Sequence, residues 1–400
     1  MKPALLFLCH RIPYPPNKGD KIRSFHLLQY LSEHYRIHLA TFIDDEADWQ
    51  YVGKVREFCE DACFVRLDPG RARLRSLLGL LTGDPLSIPY YASSELSAWV
   101  DAQVAERGIQ RVIVYSSAMA QYVSDEAGRY THKVIDFVDV DSDKWQQYAE
   151  KKRWPMSWIY RREARRLLAY DAKVAESFDA GLFVCAAEAD LFRRLVPGVA
   201  AKVGYYNNGV DTAYFSPDVA HGNPYPRQAR ALVFTGAMDY WPNVDAVVWF
   251  AQTIFPLIRE AEPTVLFYIV GSNPAERVLQ LKKQDGVVVT GRVEDVRPYV
   301  QHAVAAVAPM RIARGIQNKV LEAMAMARPV VVSPQGLEGI HAVNERDLLC
   351  AETEQDYVRY IGSLMAGGYA GMGEAARRQV ESEFNWAHTL PPVKALLEAG

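Results

Sequence analysis

Short apolar runs separated by helical patterns are the main feature of the chain. In the first half these runs cover residues 4–9, 37–43, 63–67, 112–115, 134–138 and 182–185. After about residue 229 the alternation begins again, with runs at 231–234, 265–270, 287–289, 305–307 and 330–332. Strands that alternate with helices form parallel sheets covered on both faces. Two such series predict an α/β protein with two doubly wound, Rossmann-like domains.

A polar stretch without periodicity separates the two series. Residues 217–230 contain Pro217, Gly222, Pro224 and Pro226, as a linker does. Ligands of open parallel sheets bind beyond the carboxyl ends of the strands, so two sheets facing one another would form a cleft. The predicted organisation is an N-terminal acceptor-side domain over 1–205, a linker over 206–230 and a C-terminal donor domain over 231–384.

A group of cations precedes the helical pattern before the last of these strands. Arg311, Arg314 and Lys319 lie within nine residues, beside Gly315, where a helix N-terminus would add free N–H groups and partial positive charge. Glu322 follows Lys319 by three positions and shares its helix face. We interpret the segment as a diphosphate site in which Lys319 meets phosphate and Glu322 meets a hydroxyl. The alternative is an ordinary crossover helix with solvated charges.

Two glycine-containing loops follow predicted strands. The loop after the first strand begins at His10, contains several prolines and reaches Gly19, which permits close approach of the backbone to a ligand. The alternative is a rigid connection with Asp20 as the helix N-cap. Gly236 follows the first strand of the second domain and would let a diphosphate approach the backbone. No Gly-x-Gly-x-x-Gly fingerprint is present.

Four carboxylates accompany the end of the fifth predicted strand, in the sequence DFVDVDSDKW that starts at Asp136. An EF-hand reading fails because Lys144 stands where the loop needs glycine. The Asp-x-Asp metal motif belongs to a different fold, and a chain with two sheet domains does not need it. We expect Asp139 or Asp141 to contact an acceptor while the others cap the next helix. Caps alone remain the alternative.

Composition narrows the function classes. The net charge of −3 gives no general attraction to nucleic acid. Five scattered cysteines and an N-terminal apolar run too short for a signal peptide predict a cytoplasmic protein with reduced thiols. Two basic stretches with leucine and aromatic residues, 71–81 and 151–162, fit either a membrane-surface patch at the inner face of the cytoplasmic membrane or solvated helix faces.

The order of these elements resembles the GT-B glycosyltransferases of the large retaining family 4 over essentially the whole chain. The matching motifs are the proline-rich loop from His10, Asn208-Gly209-Val210-Asp211, the loop with Gly236 and Pro242-Asn243, Val270-Gly271-Ser272, Thr290-Gly291-Arg292-Val293, Ala308-Pro309 and Lys319-Val320-Leu321-Glu322-Ala323-Met324-Ala325. More narrowly, the His10–Arg23 loop, the stretch from Val138 to Trp145 and the stretch from Arg314 to Lys319 resemble sugar transferases associated with exosortase (PEP-CTERM) exopolysaccharide systems.

The resemblance implies roles for individual residues. Glu322 would hold the nucleotide ribose, Lys319 would meet the donor diphosphate, and the base would lie beside Gly291, Arg292 and Val293. The last helix, within 385–400, would cross back to the first domain. Two positions depart from the family pattern: Arg314 stands where the family has a sugar-contacting Glu, and Asp20 replaces the second glycine of the first loop.

The predicted function is transfer of a sugar from a nucleoside diphosphate sugar to a hydroxyl of a glycan acceptor. The resemblance implies retention, and the acceptor is expected to be a lipid-linked glycan in exopolysaccharide biosynthesis. No metal or other cofactor is expected, because cations and helix N-termini would stabilise the leaving diphosphate. The candidate catalytic residues are His10, Asp139, Asp141, Arg314 and Lys319, and the candidate donor-binding residues are Gly19, Gly236, Gly271, Gly291, Arg292, Val293, Gly315, Lys319 and Glu322.

Two other functions fit the same sequence. A nucleotide-sugar epimerase would use acid and base carboxylates without an acceptor site. A two-lobed protein that binds a nucleotide or sugar without catalysis would be stabilised by the ligand and would transfer nothing.

Overall fold

A computed structural model of the chain describes residues 2–123, 129–150, 152–313 and 315–399. The chain divides into two compact units, the first formed by Met1–Asn207 with Leu390–Gly400 and the second by Asn208–Thr389. Most of the predicted linker 206–230 therefore lies in the second unit. There the side chain of Tyr225 is buried, with its ring 4.7 Å from that of Tyr268. The polar composition of the stretch concealed this packing.

The first unit is built on a seven-stranded parallel sheet of order β3-β2-β1-β4-β5-β6-β7. Its strands are β1 Ala4–Cys9, β2 Arg36–Ile43, β3 Asp61–Arg66, β4 Arg111–Tyr115, β5 His132–Val138, β6 Ala180–Phe183 and β7 Val203–Tyr205. The strands β1 and β4 are almost completely buried, as strands covered on both faces must be. The strand order reverses between β1 and β4, which is where ligands of such sheets bind.

Within the described residues, nine helices of the first unit precede the second unit in the chain. They are α1 Gly19–His34, α2 Val52–Arg56, α3 Pro69–Ser76, α4 Leu78–Thr82, α5 Ser87–Tyr90, α6 Ser94–Arg107, α7 Asp141–Glu150, α8 Met156–Ser177 and α9 Ala186–Leu195. Short 3₁₀ segments cover Glu46–Tyr51, Ser117–Tyr122 and Pro197–Lys202. Four leucines of α3, α4 and the residue between them are exposed, namely Leu74, Leu77, Leu78 and Leu81.

The second unit contains a six-stranded parallel sheet of order β10-β9-β8-β11-β12-β13. Its strands are β8 Arg230–Thr235, β9 Val265–Val270, β10 Val287–Gly291, β11 Ala305–Ala308, β12 Val330–Val332 and β13 Leu349–Cys350. Its helices are α10 Trp241–Trp249, a π-helical turn Phe250–Ile254, α11 Phe255–Ala261, α12 Glu276–Leu279, a 3₁₀ segment Gln280–Lys283, α13 Arg297–His302, α14 Asn318–Ala325, α15 Pro334–Leu337, α16 Glu354–Met365, α17 Met372–Glu383 and α18 Trp386–Thr389.

The last helix, α19 Pro391–Glu398, belongs to the first unit. The carbonyl oxygen of Leu397 accepts a hydrogen bond from Arg111 Nε at 3.1 Å, and the hydroxyl of Tyr35 donates to Glu398 Oε1 at 3.3 Å. Val393 and Leu397 of this helix are fully buried. The end of the chain therefore packs on the unit where the chain begins.

The fold prediction is confirmed: both sheets are parallel, and all eleven predicted runs contribute to strands. The sequence analysis missed β7 and β13, which are two of the four edge strands and have only three and two residues. Runs this short are not distinguishable from loops by apolar pattern alone. Within the described residues, no helix is both long and apolar enough to cross a membrane.

Candidate functional site

Three of the predicted donor-binding glycines lie at the carboxyl ends of adjacent strands of the second unit. Gly236 follows β8, Gly271 follows β9 and Gly291 ends β10. The backbone N–H of Gly236 donates to the carbonyl oxygen of Val270 at 3.1 Å, and that of Gly271 donates to the carbonyl oxygen of Gly291 at 3.2 Å. The fold thus brings together residues separated by 55 positions, at the sheet edge where open α/β sheets bind ligands.

The approach of Gly236 to Gly271 requires glycine at position 271. A Cβ atom added there would lie 1.6 Å from the carbonyl oxygen of Gly236. Gly236 itself has a φ of +151°, and a Cβ at that position would lie 2.8 Å from Nδ2 of Asn243. Without side chains, this turn leaves backbone open at the end of the sheet.

Lys319 lies in the first turn of α14 and reaches this turn. Its Nζ donates hydrogen bonds to Oδ1 of Asn243 and to Oε1 of Gln317, each at 3.1 Å. A Cβ at Gly236 would lie 3.5 Å from Lys319 Cε, so the lysine stem passes beside the glycine turn. Both hydrogen-bond partners are neutral amides, which orient the ammonium group and leave its positive charge uncompensated by them.

Burial changes the ionisation of the two residues predicted to bind the donor. It lowers the pKa of Lys319 from 10.5 to about 8, although the charge of Glu322 opposes this. It also raises the pKa of Glu322 from 4.5 to about 7, against the effect of Lys319. Because both side chains have lost hydration, keeping them charged costs free energy. A ligand that supplies a negative charge to the lysine and a hydroxyl to the carboxylate would relieve that cost.

Of the other two cations in the segment, Arg311 is paired with a carboxylate and Arg314 is not described by the structure. Arg311 forms a bidentate ion pair with Asp245 of α10, at 2.5 and 2.9 Å, so its charge is already neutralised. Arg314 itself lies outside the described residues, so its predicted role is untested. Gly315 has a φ of +63°, and α14 begins three residues later, at Asn318. Arg311 is thus paired with a carboxylate 66 positions away, which its place in the sequence did not indicate, and a contribution of its charge to phosphate binding stays a prediction.

The residues predicted to lie beside the nucleotide base follow β10. Gly291 has a φ of +74°, and a Cβ there would meet no atom within 4 Å. The side chain of Arg292 is exposed, whereas that of Val293 packs against the apolar core that contains Val320 and Leu321 of α14. This segment is consequently connected to the helix that carries Lys319 and Glu322.

In the first unit, His10 lies directly after the carboxyl end of β1, beside two tyrosine rings. Its ring is parallel to that of Tyr115 and edge-on to that of Tyr91, with both centroid distances 5.8 Å. His10 Nε2 lies 3.6 Å from Oδ2 of Asp20, and its buried Nδ1 has no hydrogen-bond partner among the described residues. The ring is thus held beside a carboxylate, with one nitrogen unsatisfied.

Asp20, in the first turn of α1, is part of a charged network. Arg11 donates from Nη1 to Asp20 at 2.7 Å and from Nε and Nη2 to Asp44. Burial acts to raise the pKa of Asp20, but the hydrogen bond from His10 and the charge of Arg11 outweigh it and hold that pKa well below its usual range. Asp20 is therefore a permanent anion beside His10. Residue type alone did not reveal this network.

Gly19 is the first residue of α1. A Cβ atom at this position would meet no atom within 4 Å. The packing of the first unit thus does not itself require glycine here. Close approach to a ligand stays a prediction.

Asp139 and Asp141 follow β5 and share one cation. Lys144 Nζ lies 2.7 Å from Asp139 Oδ2 and 3.1 Å from Asp141 Oδ1. Burial acts to lower the pKa of Lys144, but the charges of both carboxylates raise it above its usual value. Within the described parts of the chain, no group of three or more His, Cys, Asp or Glu side chains could hold a metal ion. An acceptor that binds these carboxylates has to share them with Lys144.

Asp136, the first carboxylate of the same stretch, is part of the core. It is fully buried and accepts hydrogen bonds from Arg23 Nε at 2.8 Å and from the hydroxyl of Tyr206 at 2.5 Å. Two residues later, Val138 has a φ of +70°, a left-handed conformation that a β-branched residue rarely adopts. A buried ion pair and a strained residue therefore fix the backbone just before Asp139.

The comparison with known proteins agrees with this geometry. Residues 229–366 match the family model described as glycosyl transferases group 1, which covers most of the second unit and both Lys319 and Glu322. No curated protein matches the sequence at a significant level.

Solved structures with the same fold align along the whole chain. Sucrose-phosphate synthase from Thermosynechococcus elongatus has a TM-score of 0.70 at 16% identity, with 100% of this chain and 98% of that chain covered. Anabaena Alr3699/HepE in complex with UDP has a TM-score of 0.67 at 14% identity, with both chains fully covered. WaaG, a glycosyltransferase involved in lipopolysaccharide biosynthesis, has a TM-score of 0.67 at 13% identity and coverages of 99% and 100%.

These findings define the class of the protein, which is a glycosyltransferase with the GT-B fold. The prediction of the enzyme class is thereby confirmed. More particularly, the second unit carries the domain of the glycosyl transferases group 1, in which the glycine turn, Lys319 and Glu322 lie.

Proposed function

We propose that the chain is a retaining glycosyltransferase of the family 4 type that transfers a sugar from a nucleoside diphosphate sugar to a hydroxyl. The observation that carries the proposal is the position of Lys319, hydrogen-bonded to Asn243 beside the glycine turn, within the segment that matches the family model. A desolvated cation beside open backbone at the end of a parallel sheet suits the diphosphate of such a donor.

Each donor-side residue has a defined role in this proposal. The ammonium group of Lys319 binds the diphosphate, and Gly236, Gly271 and Gly315 allow its oxygens to approach the backbone. Glu322 accepts hydrogen bonds from the ribose hydroxyls, and the base lies at Gly291, Arg292 and Val293. Arg314 adds a second cation at the diphosphate. Positive charge placed where the leaving group gains negative charge is the main source of rate acceleration, so the reaction needs no metal or other cofactor.

The reaction breaks the bond between the anomeric carbon and the diphosphate oxygen and forms one between that carbon and the acceptor oxygen. The proton of the acceptor hydroxyl passes to the leaving phosphate. On the acceptor side, Gly19 lets a ligand approach the loop after β1, and His10 and the carboxylates Asp139 and Asp141 bind the acceptor. His10 is supported in this role by its unsatisfied ring nitrogen and by its position beside the carboxylate of Asp20.

The acceptor in this proposal is a lipid-linked glycan at the inner face of the cytoplasmic membrane, and the product enters exopolysaccharide biosynthesis of the PEP-CTERM type. The support is the resemblance of the His10–Arg23 loop and of the 314–319 segment to those transferases. Similar structures bind the expected class of donor, since Alr3699/HepE has been solved with UDP and with UDP-glucose.

The proposal is tested with a panel of UDP, GDP and ADP and their sugars, measured first by thermal shift. One nucleotide is expected to raise the unfolding temperature well above the others, because a ligand at 100 times its Kd stabilises by about 2.7 kcal/mol. Transfer is then measured with that donor and a lipid-linked glycan. Donor conversion without acceptor would instead identify an epimerase, and stabilisation with neither transfer nor hydrolysis would identify a binding protein.

Donor affinity is expected to be greatest between about pH 7 and pH 8. Above pH 8 the free Lys319 loses its proton, and below pH 7 the free Glu322 gains one, given their pKa values of about 8 and about 7. Because binding then requires Lys319 to take up a proton, affinity should fall by up to about tenfold per pH unit above pH 8. Calorimetric titration with the preferred nucleotide measures this. The alkaline decline should be absent in Lys319→Met; its persistence there would contradict the assignment.

A further inference from the structure

Two segments far apart in sequence adjoin on the first unit. The first covers α3, α4 and the turn after them, residues 69–84, and the second covers residues 152–166 at the start of α8. Arg162 of the second segment donates from Nη2 to the carbonyl oxygens of Gly79 and Asp84. The neighbouring Glu163 is buried and accepts a hydrogen bond from the backbone N–H of Leu86 at 2.8 Å. These contacts make one surface of the two segments, which we call the basic-apolar surface.

Large apolar side chains of this surface are unusually exposed. Leu81 is 86% exposed, Trp154 82% and Leu74 71%. Three more are about half exposed, namely Leu77, Leu78 and Trp158. Single exposed apolar residues are common, but six on two adjoining segments make a cluster that a partner would cover.

The same surface concentrates positive charge. Its two segments contain nine lysine and arginine residues and two carboxylates, in a chain whose net charge is −3. The cations are Arg71, Arg73, Arg75, Lys152, Arg153, Arg161, Arg162, Arg165 and Arg166. A partner of this surface must therefore be apolar at its centre and anionic around it.

We propose that the basic-apolar surface docks on a bilayer of anionic phospholipid. Leu74, Leu81 and Trp154 enter the interfacial region. The exposed cations contact the headgroup phosphates, whereas Arg75 and Arg162 are held by backbone carbonyl oxygens of the protein. Exposed leucines among arginines favour lipid over a nucleic acid, which offers no apolar phase. The inference goes beyond the transfer reaction, because lipid binding needs neither a sugar donor nor an acceptor.

Flotation of the full chain with vesicles tests the proposal. One set of vesicles contains phosphatidylcholine with about one third phosphatidylglycerol, and the other contains phosphatidylcholine alone. The protein is expected to float with the anionic vesicles and to stay at the bottom with the neutral ones. Each cation near an anionic surface contributes about fivefold in affinity, and added salt should weaken the binding.

Two variants separate the apolar and the charged contributions. Leu81→Ser with Trp154→Ser is expected to reduce vesicle binding at least tenfold without unfolding, because both side chains project into solvent. Arg71→Glu with Arg73→Glu is expected to weaken binding to the anionic vesicles by at least about 25-fold, at about fivefold for each cation lost. The matched control is Arg194→Glu with Leu195→Ser, an exposed pair on α9 of the same unit, which should bind vesicles as the unaltered chain does.

The outcomes distinguish this inference from the proposed transferase activity. Nucleotide-induced stabilisation should be unchanged in both surface variants, since none of these residues is placed at the donor. The inference is overturned if the unaltered chain floats with neither vesicle type. It is also overturned if the control variant loses as much vesicle binding as the surface variants. Concentration-dependent self-association that disappears in the leucine and tryptophan variant, without vesicle binding, would also overturn it.

Discussion

Replacing Lys319 with methionine is expected to lower kcat/KM for sugar transfer by about a hundredfold, or about 3 kcal/mol of transition-state stabilisation. The ammonium group donates to Asn243 and Gln317, and the glycine turn lies beside its stem. Methionine retains the apolar stem and removes only the charge. The loss should appear both in nucleotide affinity, measured by titration, and in kcat, because negative charge on the diphosphate increases in the transition state.

The fold should survive this substitution. Lys319 lowers the pKa of Glu322, so its removal lets that carboxyl become neutral near pH 7 instead of leaving a buried charge unpaired. The unfolding temperature without ligand should therefore change little. Lys282→Met, at an exposed lysine of the same unit, serves as the control and should transfer sugar normally. Equal nucleotide affinity in Lys319→Met and Lys282→Met would exclude Lys319 from the diphosphate site.

Most of the fold was predictable because buried parallel strands are continuous apolar runs. The valine run at β12 and the run from Val265 to Val270 could hardly lie elsewhere than in a sheet covered on both faces. The strands β7 and β13 were missed because three and two residues are too few for any apolar pattern. The course of 206–230 escaped because its composition is that of a linker, while the packing of Tyr225 depends on a ring 43 positions away.

The candidate site could be predicted where a residue type has one plausible use, such as glycine after a strand. It could not be predicted where the role of a charged residue depends on an ion pair with a distant segment. Gly236 was identified from its position after a predicted strand, and Gly271 and Gly291 from the resemblance to family 4; the structure places all three at neighbouring strand ends. By contrast, the sequence did not indicate that Arg311 forms an ion pair with Asp245. Charge pairing between distant segments follows from the folded backbone and leaves no local pattern. The ion pairs of Lys144 with Asp139 and Asp141 were not predicted either.

The hydrogen-bonding role of Asn243 shows what a motif can and cannot indicate. Asn243 was noted as part of a proline-asparagine pair in the loop after β8, without a function. In the structure its Nδ2 donates to the carbonyl oxygen of Ala237 at 2.9 Å, and its Oδ1 accepts from Lys319. One amide thus fixes the glycine turn and orients the lysine. The contact with Lys319 could not be predicted without knowing where α14 packs.

The glycine turn itself provides the second large effect. Gly271→Ala is expected to destabilise the second unit by at least about 3 kcal/mol, because the new Cβ would lie 1.6 Å from the carbonyl oxygen of Gly236, which belongs to rigid backbone. The unfolding temperature should fall by about 10 °C, since each kcal/mol shifts a unit of this size by about 2–4 °C. Thermal unfolding monitored by circular dichroism measures this.

The same substitution should also weaken nucleotide binding in whatever fraction stays folded. The only way to accommodate the methyl group is to move the turn at Gly236 away from β9, and that turn lies beside Lys319 and Asn243. Gly362→Ala is the matched control, because a Cβ at this position of α16 meets no atom within 4 Å and alanine favours a helix by about 0.5–1 kcal/mol. A Gly271→Ala protein as stable as Gly362→Ala, with unaltered nucleotide affinity, would show that the two strand ends do not meet as described. Loss of stability with full affinity would instead separate the turn from the donor site, and leave Lys319 to bind the diphosphate without it.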